Sequence, residues 1–178
     1  EPSLVPDLLE YIKFFKDRNI KTILQTNGTD SNVWNKDIDE IWISLYGSED
    51  IHDFITMKNI YSQVVETINV LKNYTHDIVI QSPIFNDYQL WSIMRESKKL
   101  DLKLRLFALL NQGRCRFALS IDEQKRIYYN NKESYNNVEL TCSLDEAKCN
   151  YENKLVLKPD GSLFNCASHK HGIILCKK

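Results

Sequence analysis

Hydrophobic residues follow two alternating patterns along the first two thirds of the chain. Stretches with a period of three to four residues are typical of amphipathic helices, and they begin near Pro6, Ile60 and Asn86. Between them lie short apolar and β-branched runs that are closed by glycine, asparagine or proline, which is the pattern of buried strands. These strands are predicted at 21–26, 41–46, 77–82 and 102–110.

This alternation of strand and helix predicts the fold class. Strands separated by helices of this length pair in parallel through right-handed crossovers. We therefore expect an α/β fold, an open sheet or a barrel, in residues 1–114. The pattern then changes: Ser120 to Glu123 resembles a capping box, and the stretch to 137 is rich in asparagine. We expect 115–141 to be a linker with a helix, and 142–178 to be a small extension.

Composition and charge narrow the class of protein. The 178 residues are 43% hydrophobic and 26% charged, which is ordinary for a globular domain. A net charge of -1 provides no basic field for a nucleic acid, so we expect no nucleic-acid partner. The apolar runs are only strand-length, so we expect no membrane span and a cytoplasmic protein.

The cysteines concentrate in the predicted extension. Four of the five lie there, at Cys142, Cys149, Cys166 and Cys176, around a predicted hairpin with its turn at 159–161. In a reducing compartment, four clustered thiolates indicate zinc or an iron-sulfur cluster more often than disulfides. The residues alone leave both metals open.

Three other residues belong to the same question. Cys115 stands apart and is expected to be a small buried side chain. His169 and His171 are alternative metal ligands, although a Lys-His-Lys-His run is more often a solvated loop.

The order of these pieces resembles the radical S-adenosylmethionine (SAM) enzymes. Residues 1–10 are similar to the end of the Gly-Gly-Glu-Pro motif of that family and the helix that follows. Residues 25–28 and 43–47 resemble its next two strands, and 51–56 the approach to its fourth barrel helix. The resemblance implies that residues 1–114 form a partial (βα) radical SAM barrel.

The extension carries a more specific resemblance. Eleven residues separate Cys149 from Gly161, and four separate Gly161 from Cys166. This spacing resembles the cysteine–glycine–cysteine hairpin of SPASM and twitch extensions. The resemblance implies an auxiliary [4Fe-4S] cluster bound by Cys142, Cys149 and Cys166, with Cys176 as the candidate fourth ligand.

The same resemblance implies a SAM site. Glu1 matches the glutamate that holds the SAM amino group in the family, and Ser44 a strand-end residue that contacts the SAM carboxylate or ribose. Thr26 and Asn27 lie at the end of a neighbouring strand. Two alternatives stay open: residues 26–28 form a plain turn, and the Ser44 hydroxyl is satisfied within its strand.

The implied activity is that of a peptide or protein maturase. Such an enzyme uses a 5'-deoxyadenosyl radical to modify a side chain, and a flavodoxin or ferredoxin is a possible electron donor. No Cys-x-x-x-Cys-x-x-Cys occurs in the chain. We therefore expect a fragment of a larger enzyme that is inert by itself. The alternatives are a non-catalytic module with structural zinc and a degenerate regulatory homologue that binds SAM.

Overall fold

Five short apolar segments form one parallel sheet in the part of the chain that the structure describes. The computed structural model describes residues 7–30, 37–74, 77–109, 119–134, 137–141, 144, 156–157 and 163–164. The strands are β1 (Ile23–Thr26), β2 (Glu40–Ser44), β3 (Asp77–Pro83), β4 (Lys103–Phe107) and β5 (Val138–Leu140). The helices are α1 (Leu8–Lys16), α2 (Glu49–Thr56), α3 (Tyr61–Leu71), α4 (Asp87–Lys99) and α5 (Ile121–Asn131).

The strands lie in the sheet in their order along the chain, β1-β2-β3-β4-β5, and every neighbouring pair is parallel. Each crossover therefore moves one strand further in the same direction. A doubly wound sheet would instead reverse its strand order at a switch point. An unreversed parallel series is how a (βα) barrel is built. The predicted α/β fold with parallel strands is confirmed.

The core lies between the sheet and the helices. Alternate residues of β2 and β4 are fully buried on one face, where Ile41, Ile43, Leu104 and Leu106 are all 0% exposed. Apolar residues of α3 and α4 belong to the same cluster: Val64, Ile68, Leu71, Leu90, Ile93 and Met94. Right-handed crossovers place successive helices on one face of the sheet, which explains why one face is buried so completely.

Side-chain caps set where two helices begin. Asn86 Oδ1 accepts a hydrogen bond of 2.8 Å from the Gln89 backbone N–H at the start of α4. At the start of α5, Ser120 and Glu123 form a reciprocal capping box. Both caps satisfy backbone donors that a helix leaves unpaired in its first turn. The helix start near Asn86 and the capping box at Ser120 and Glu123 were predicted from sequence and are confirmed.

The segment before the extension differs from the prediction. Residues 138–140 pair with β4 as the fifth parallel strand, so part of the predicted linker belongs to the sheet. Three residues are too few to show a two-residue hydrophobic period, and this strand follows an asparagine-rich stretch that predicts a loop.

A short antiparallel pair follows. Its strands are β6 (Val156–Leu157) and β7 (Leu163–Phe164). The cysteines on either side lie outside the described residues, so the cysteine-rich hairpin and the boundaries at 114 and 141 stay predictions. Among the described helices, none is long and apolar enough to cross a membrane.

Replacement of Ile80 by alanine is expected to destabilise the fold strongly. Ile80 lies at the centre of β3 with 0% exposure, so truncation leaves a cavity that costs about 2–5 kcal/mol. Ile20→Ala is the matched control, because Ile20 is 47% exposed and should change stability by roughly 0.5 kcal/mol or less. Urea unfolding of both variants tests this. Equal losses in the two variants would contradict the assignment of the core.

Candidate functional site

The sheet face that the helices do not cover carries a line of polar side chains. In the strand register Ser44 lies beside Gln81, Gln81 beside Arg105, and Arg105 beside Glu139. We call these four residues the polar row. They alternate with the buried apolar residues of the same strands, so they belong to the opposite face. The polar row crosses four adjacent strands and includes the last residue of β2.

Trp42 and Arg105 contact each other on this face of the sheet. The Arg105 guanidinium carbon lies 3.9 Å from the centre of the Trp42 ring. Trp42 belongs to β2 and Arg105 to β4, so their contact passes over β3, which lies between them. Val79 and Gln81 of β3, the strand beneath this contact, are buried, at 4% and 8% exposure.

Two atoms of the polar row have no hydrogen-bond partner. Gln81 Oε1 and Arg105 Nε are both buried, and neither contacts a complementary polar atom among the described residues. Glu139 Oε1 lies 3.9 Å from an Arg105 terminal nitrogen, which is too far for a hydrogen bond. Buried polar atoms without a partner are unusual in proteins. Contact with a water molecule, an ion or a ligand is one explanation for them.

Glu40 is the other acid near Arg105, and its own partners already engage it. Its carboxylate accepts hydrogen bonds from Lys21 Nζ at 2.8 Å and from Trp42 Nε1 at 2.7 Å. Burial raises the pKa of Glu40, but the bonds from Lys21 and Trp42 outweigh this effect and hold the pKa below its usual value. Glu40 therefore stays ionised and orients the Trp42 ring.

The segment after Ser44 is held by a buried histidine. The His52 Nδ1 atom accepts a hydrogen bond of 3.3 Å from the Tyr46 backbone N–H, and the two rings stack with centres 5.3 Å apart. His52 is 1% exposed, and burial lowers its pKa. Burial raises the pKa of Tyr46, and the nearby Ser44 side chain lowers it in part. His52 thus fixes the strand end that presents Ser44.

The neighbouring strand end forms a tight turn. The Thr26 hydroxyl accepts a hydrogen bond of 3.0 Å from the Gly28 N–H, and Asn27 Oδ1 accepts one of 2.9 Å from the Thr29 N–H. Gly28 has a φ of +74°, and a Cβ there would lie 3.0 Å from Ile43 Cγ2. Thr26 is 3% exposed and shares its face with Ile43, opposite the face of Ser44.

The predicted site residues therefore separate into three groups. Ser44 lies in the polar row, and Thr26 and Asn27 build the adjacent turn, as the plain-turn alternative describes. Glu1, Cys142, Cys149, Cys166 and Cys176 lie outside the described residues, as do Cys115, His169 and His171. Within the part of the chain that is described, no three His, Cys, Asp or Glu side chains group as metal ligands.

Sequence reasoning missed Trp42, Gln81, Arg105 and His52. A signal was present for two of them, because Gln81 and Arg105 interrupt apolar strands in phase with the uncovered face. No local pattern in the sequence predicts the contact between Trp42 and Arg105, because the two residues are 63 positions apart in the chain.

Solved structures of radical SAM enzymes share this fold. Native anSMEcpe, an anaerobic sulfatase-maturating enzyme, with bound AdoMet and Kp18Cys peptide matches at a TM-score of 0.61 and 19% identity over 91% of this chain. SuiB of Streptococcus suis bound to S-adenosylmethionine matches at a TM-score of 0.63 and 9% identity over 94% of this chain. Both are SPASM-type radical SAM enzymes.

The extent of these matches is partial. This chain spans 58% of the anSMEcpe chain and 47% of the SuiB chain. No protein-family model and no curated protein matches the sequence. At such low identity the comparisons establish the fold, which is that of the barrel in these radical SAM enzymes.

Acidification is expected to destabilise the protein through His52. Because burial lowers its folded-state pKa below 6.5, the unfolded chain binds the proton more tightly. The stabilisation is present above the unfolded pKa and is lost as the pH falls below about 6.5. Urea unfolding at several pH values should show a shallower pH dependence in His52→Phe than in the unchanged protein.

The other three histidines of the chain, His76, His169 and His171, are present in both proteins, so the difference between the two curves isolates His52. The difference in slope is at most about 1.4 kcal/mol per pH unit for one proton. Parallel curves would contradict a buried neutral His52.

Proposed function

We propose that this chain is part of a radical SAM enzyme that modifies a side chain of a peptide or protein. One observation carries the proposal: the polar row lies on the uncovered face of a parallel sheet, with Ser44 at a strand carboxyl end. Ligands of parallel α/β folds bind at the carboxyl ends of strands. The shared fold supports SAM as that ligand, because AdoMet is bound in the solved structures.

The type of the polar-row residues and their place at the strand ends support a SAM site. The Ser44 hydroxyl is proposed to contact the SAM carboxylate or ribose, next to the unpartnered Gln81 Oε1. Glu1 is proposed to hold the SAM amino group. Thr26 and Asn27 contribute through the turn that they build, because the Thr26 side chain faces the helices.

A bound SAM molecule together with a [4Fe-4S] cluster would supply the abstraction of a hydrogen atom from the substrate side chain. The described residues of this chain position the strand end at the proposed SAM site and shield the neighbouring strand from water. His52 and Tyr46 hold the strand end that presents Ser44, and Trp42 and Arg105 cover β3 on the uncovered face. Water is thereby kept from Val79 and Gln81 beneath them. The protein's share in such chemistry is binding, orientation and electrostatics.

The cysteines of the extension are proposed to bind an auxiliary [4Fe-4S] cluster, in a SPASM or twitch arrangement. Cys142, Cys149 and Cys166 are the proposed ligands, and Cys176 is the candidate fourth. Four thiolates suit iron-sulfur clusters, and the spacing around Gly161 favours this cluster over zinc.

The complete protein extends the proposal. Since the chain spans 58% of the anSMEcpe chain, we infer that the radical-generating Cys-x-x-x-Cys-x-x-Cys belongs to a part outside this sequence. The 178 residues alone are then inactive. Peptides accompany anSMEcpe in its solved structures, which supports a peptide or protein substrate. We further propose a cytoplasmic enzyme that receives electrons from a flavodoxin or ferredoxin.

Anaerobic reconstitution with iron and sulfide is expected to give a coloured protein. The auxiliary cluster absorbs visible light, and iron and sulfide should be bound together. Replacement of Cys142, Cys149 or Cys166 by alanine should lower the bound iron, since each removes one thiolate ligand. Visible absorption together with iron, sulfide and zinc analysis measures this.

Cys115→Ala is the matched control and should retain the full iron content. Stoichiometric zinc in a colourless protein would instead indicate that the cysteines form a structural zinc site. Full iron retention in all three ligand variants would contradict the proposed ligands.

Replacement of Ser44 by alanine is expected to weaken SAM binding. Loss of one hydrogen bond to a charged group corresponds to about tenfold or more in affinity. Equilibrium dialysis of labelled SAM against the full-length enzyme measures the effect. Ser62→Ala, on the exposed surface of α3, is the control and should bind as the unchanged enzyme does. Equal affinity of the Ser44→Ala and Ser62→Ala variants for SAM would show that Ser44 does not contact SAM.

A further inference from the structure

The backbone ladder between β2 and β3 ends immediately after Ser44. The Leu45 N–H still donates to the Gln81 carbonyl at 3.2 Å. In a parallel ladder, the next bond would run from the N–H of position 83 to the Leu45 carbonyl, but Pro83 has no N–H. The main chain beyond Leu45 therefore needs other partners if the strand end is to keep one conformation.

A buried glutamine of α4 is such a partner. Gln89 is 2% exposed, and its Nε2 donates hydrogen bonds to the Tyr46 carbonyl at 2.9 Å and to Ser82 Oγ at 3.0 Å. Its Oε1 accepts a bond of 3.2 Å from the Phe85 N–H. One side chain thus joins the loop after β2, the end of β3 and the loop after β3. It continues the link between the two strands past the last ladder bond.

A serine one turn further along α4 holds the same loop. Ser92 Oγ accepts a hydrogen bond of 2.8 Å from the Ser48 N–H and lies 3.0 Å from Ser48 Oγ. Gly47, which precedes Ser48, has a φ of +151°, and a Cβ there would lie 3.0 Å from Ser92 Oγ. Glycine therefore allows the main chain to approach α4 closely. These contacts bind residues 46–48 to α4.

We propose that Gln89, assisted by Ser92, is a positioning residue for the proposed SAM site. Gln89 fixes the main chain at Tyr46, two residues after Ser44, and so sets where the end of β2 presents the Ser44 hydroxyl. It acts through Ser44 and not by contact with the ligand. The inference rests on the proposed function and deepens it, because it names residues on which the contact at Ser44 depends.

Hydrogen exchange of the backbone amides measures the positioning. In the full-length enzyme without SAM, Gln89→Met should raise the exchange rate of residues 45–48 about fivefold or more, because the Tyr46 carbonyl loses its donor. Methionine keeps the site filled, so no large cavity forms. Ser92→Ala is the milder variant and should raise the same rate by less. It carries the test if Gln89→Met does not fold.

Equilibrium dialysis of labelled SAM measures whether this positioning affects binding. Gln89→Met should lower the affinity of the full-length enzyme for SAM about fivefold. The same substitution in the Ser44→Ala background should change the affinity by less than about twofold, because the two residues act on one contact and their effects are not additive. A merely structural loss would be equal in the two backgrounds.

Gln124 of α5 is the matched control. It is 0% exposed, its Oε1 accepts from the Leu109 N–H, and its Nε2 donates to the carbonyls of Leu109 and Leu119, each at 2.8 Å. It holds the chain after β4, two strands away from β2. Gln124→Met should therefore lower the free energy of unfolding about as much as Gln89→Met does. It should leave the SAM affinity and the exchange of residues 45–48 unchanged.

Each outcome supports the inference or overturns it. Faster exchange, together with a loss of SAM affinity that requires Ser44, supports it. Unchanged exchange, unchanged SAM affinity, an equal affinity loss in Gln124→Met or an equal loss in both Ser44 backgrounds overturns it. If the unchanged full-length enzyme binds no SAM, the proposed function fails and the inference fails with it. If Ser44→Ala weakens SAM binding and Gln89→Met does not, only the inference fails.

Discussion

Parallel pairing of β2, β3 and β4 is the constraint on which the rest of the structure depends. The pairing places Ile43 beside Ile80 and Ile80 beside Leu104, so one face becomes a continuous apolar layer beneath α3 and α4. Because successive strand residues point to opposite faces, the same register aligns Ser44, Gln81 and Arg105 on the other face. A register shift of one residue would exchange the two faces and bury the polar row in the core.

The uncovered face depends on a second interaction, the stack of Arg105 on Trp42 across β3. The stack lies over β3, where Val79 and Gln81 are buried. Glu40 orients Trp42, and Lys21 keeps Glu40 ionised by lowering its pKa. Charge-assisted contacts thus link Lys21 to Glu40, Glu40 to Trp42, and Trp42 to Arg105. Such contacts are strongest where water is excluded, and the Arg105 end is the more buried one, since the Arg105 side chain is 12% exposed and that of Lys21 61%.

Contacts from α2 fix the backbone of the loop that follows β2. Ser44 is the last residue of its strand, and the backbone beyond it is fixed by His52 and Tyr46. Asp53, the next residue of α2, accepts bonds of 2.9 Å from the N–H groups of Ile60 and Tyr61 and so caps α3. Consecutive residues of one short helix therefore hold the strand end and the following helix. Chemistry proposed at Ser44 relies on this support.

The amino-acid sequence alone was enough for the fold class and for the order of β1 to β4 with α1, α3, α4 and α5, because hydrophobic period and turn residues are local properties. The helix start near Asn86 and the capping box at Ser120 were predicted for the same reason, whereas Ser44 was predicted as a site residue from the resemblance to radical SAM enzymes. The Arg105–Trp42 stack, the unpartnered Gln81 and the fifth strand at 138–140 were decided only by tertiary structure. Each depends on which strands become neighbours, and that pairing comes from burial of the whole apolar layer rather than from any local stretch of residues.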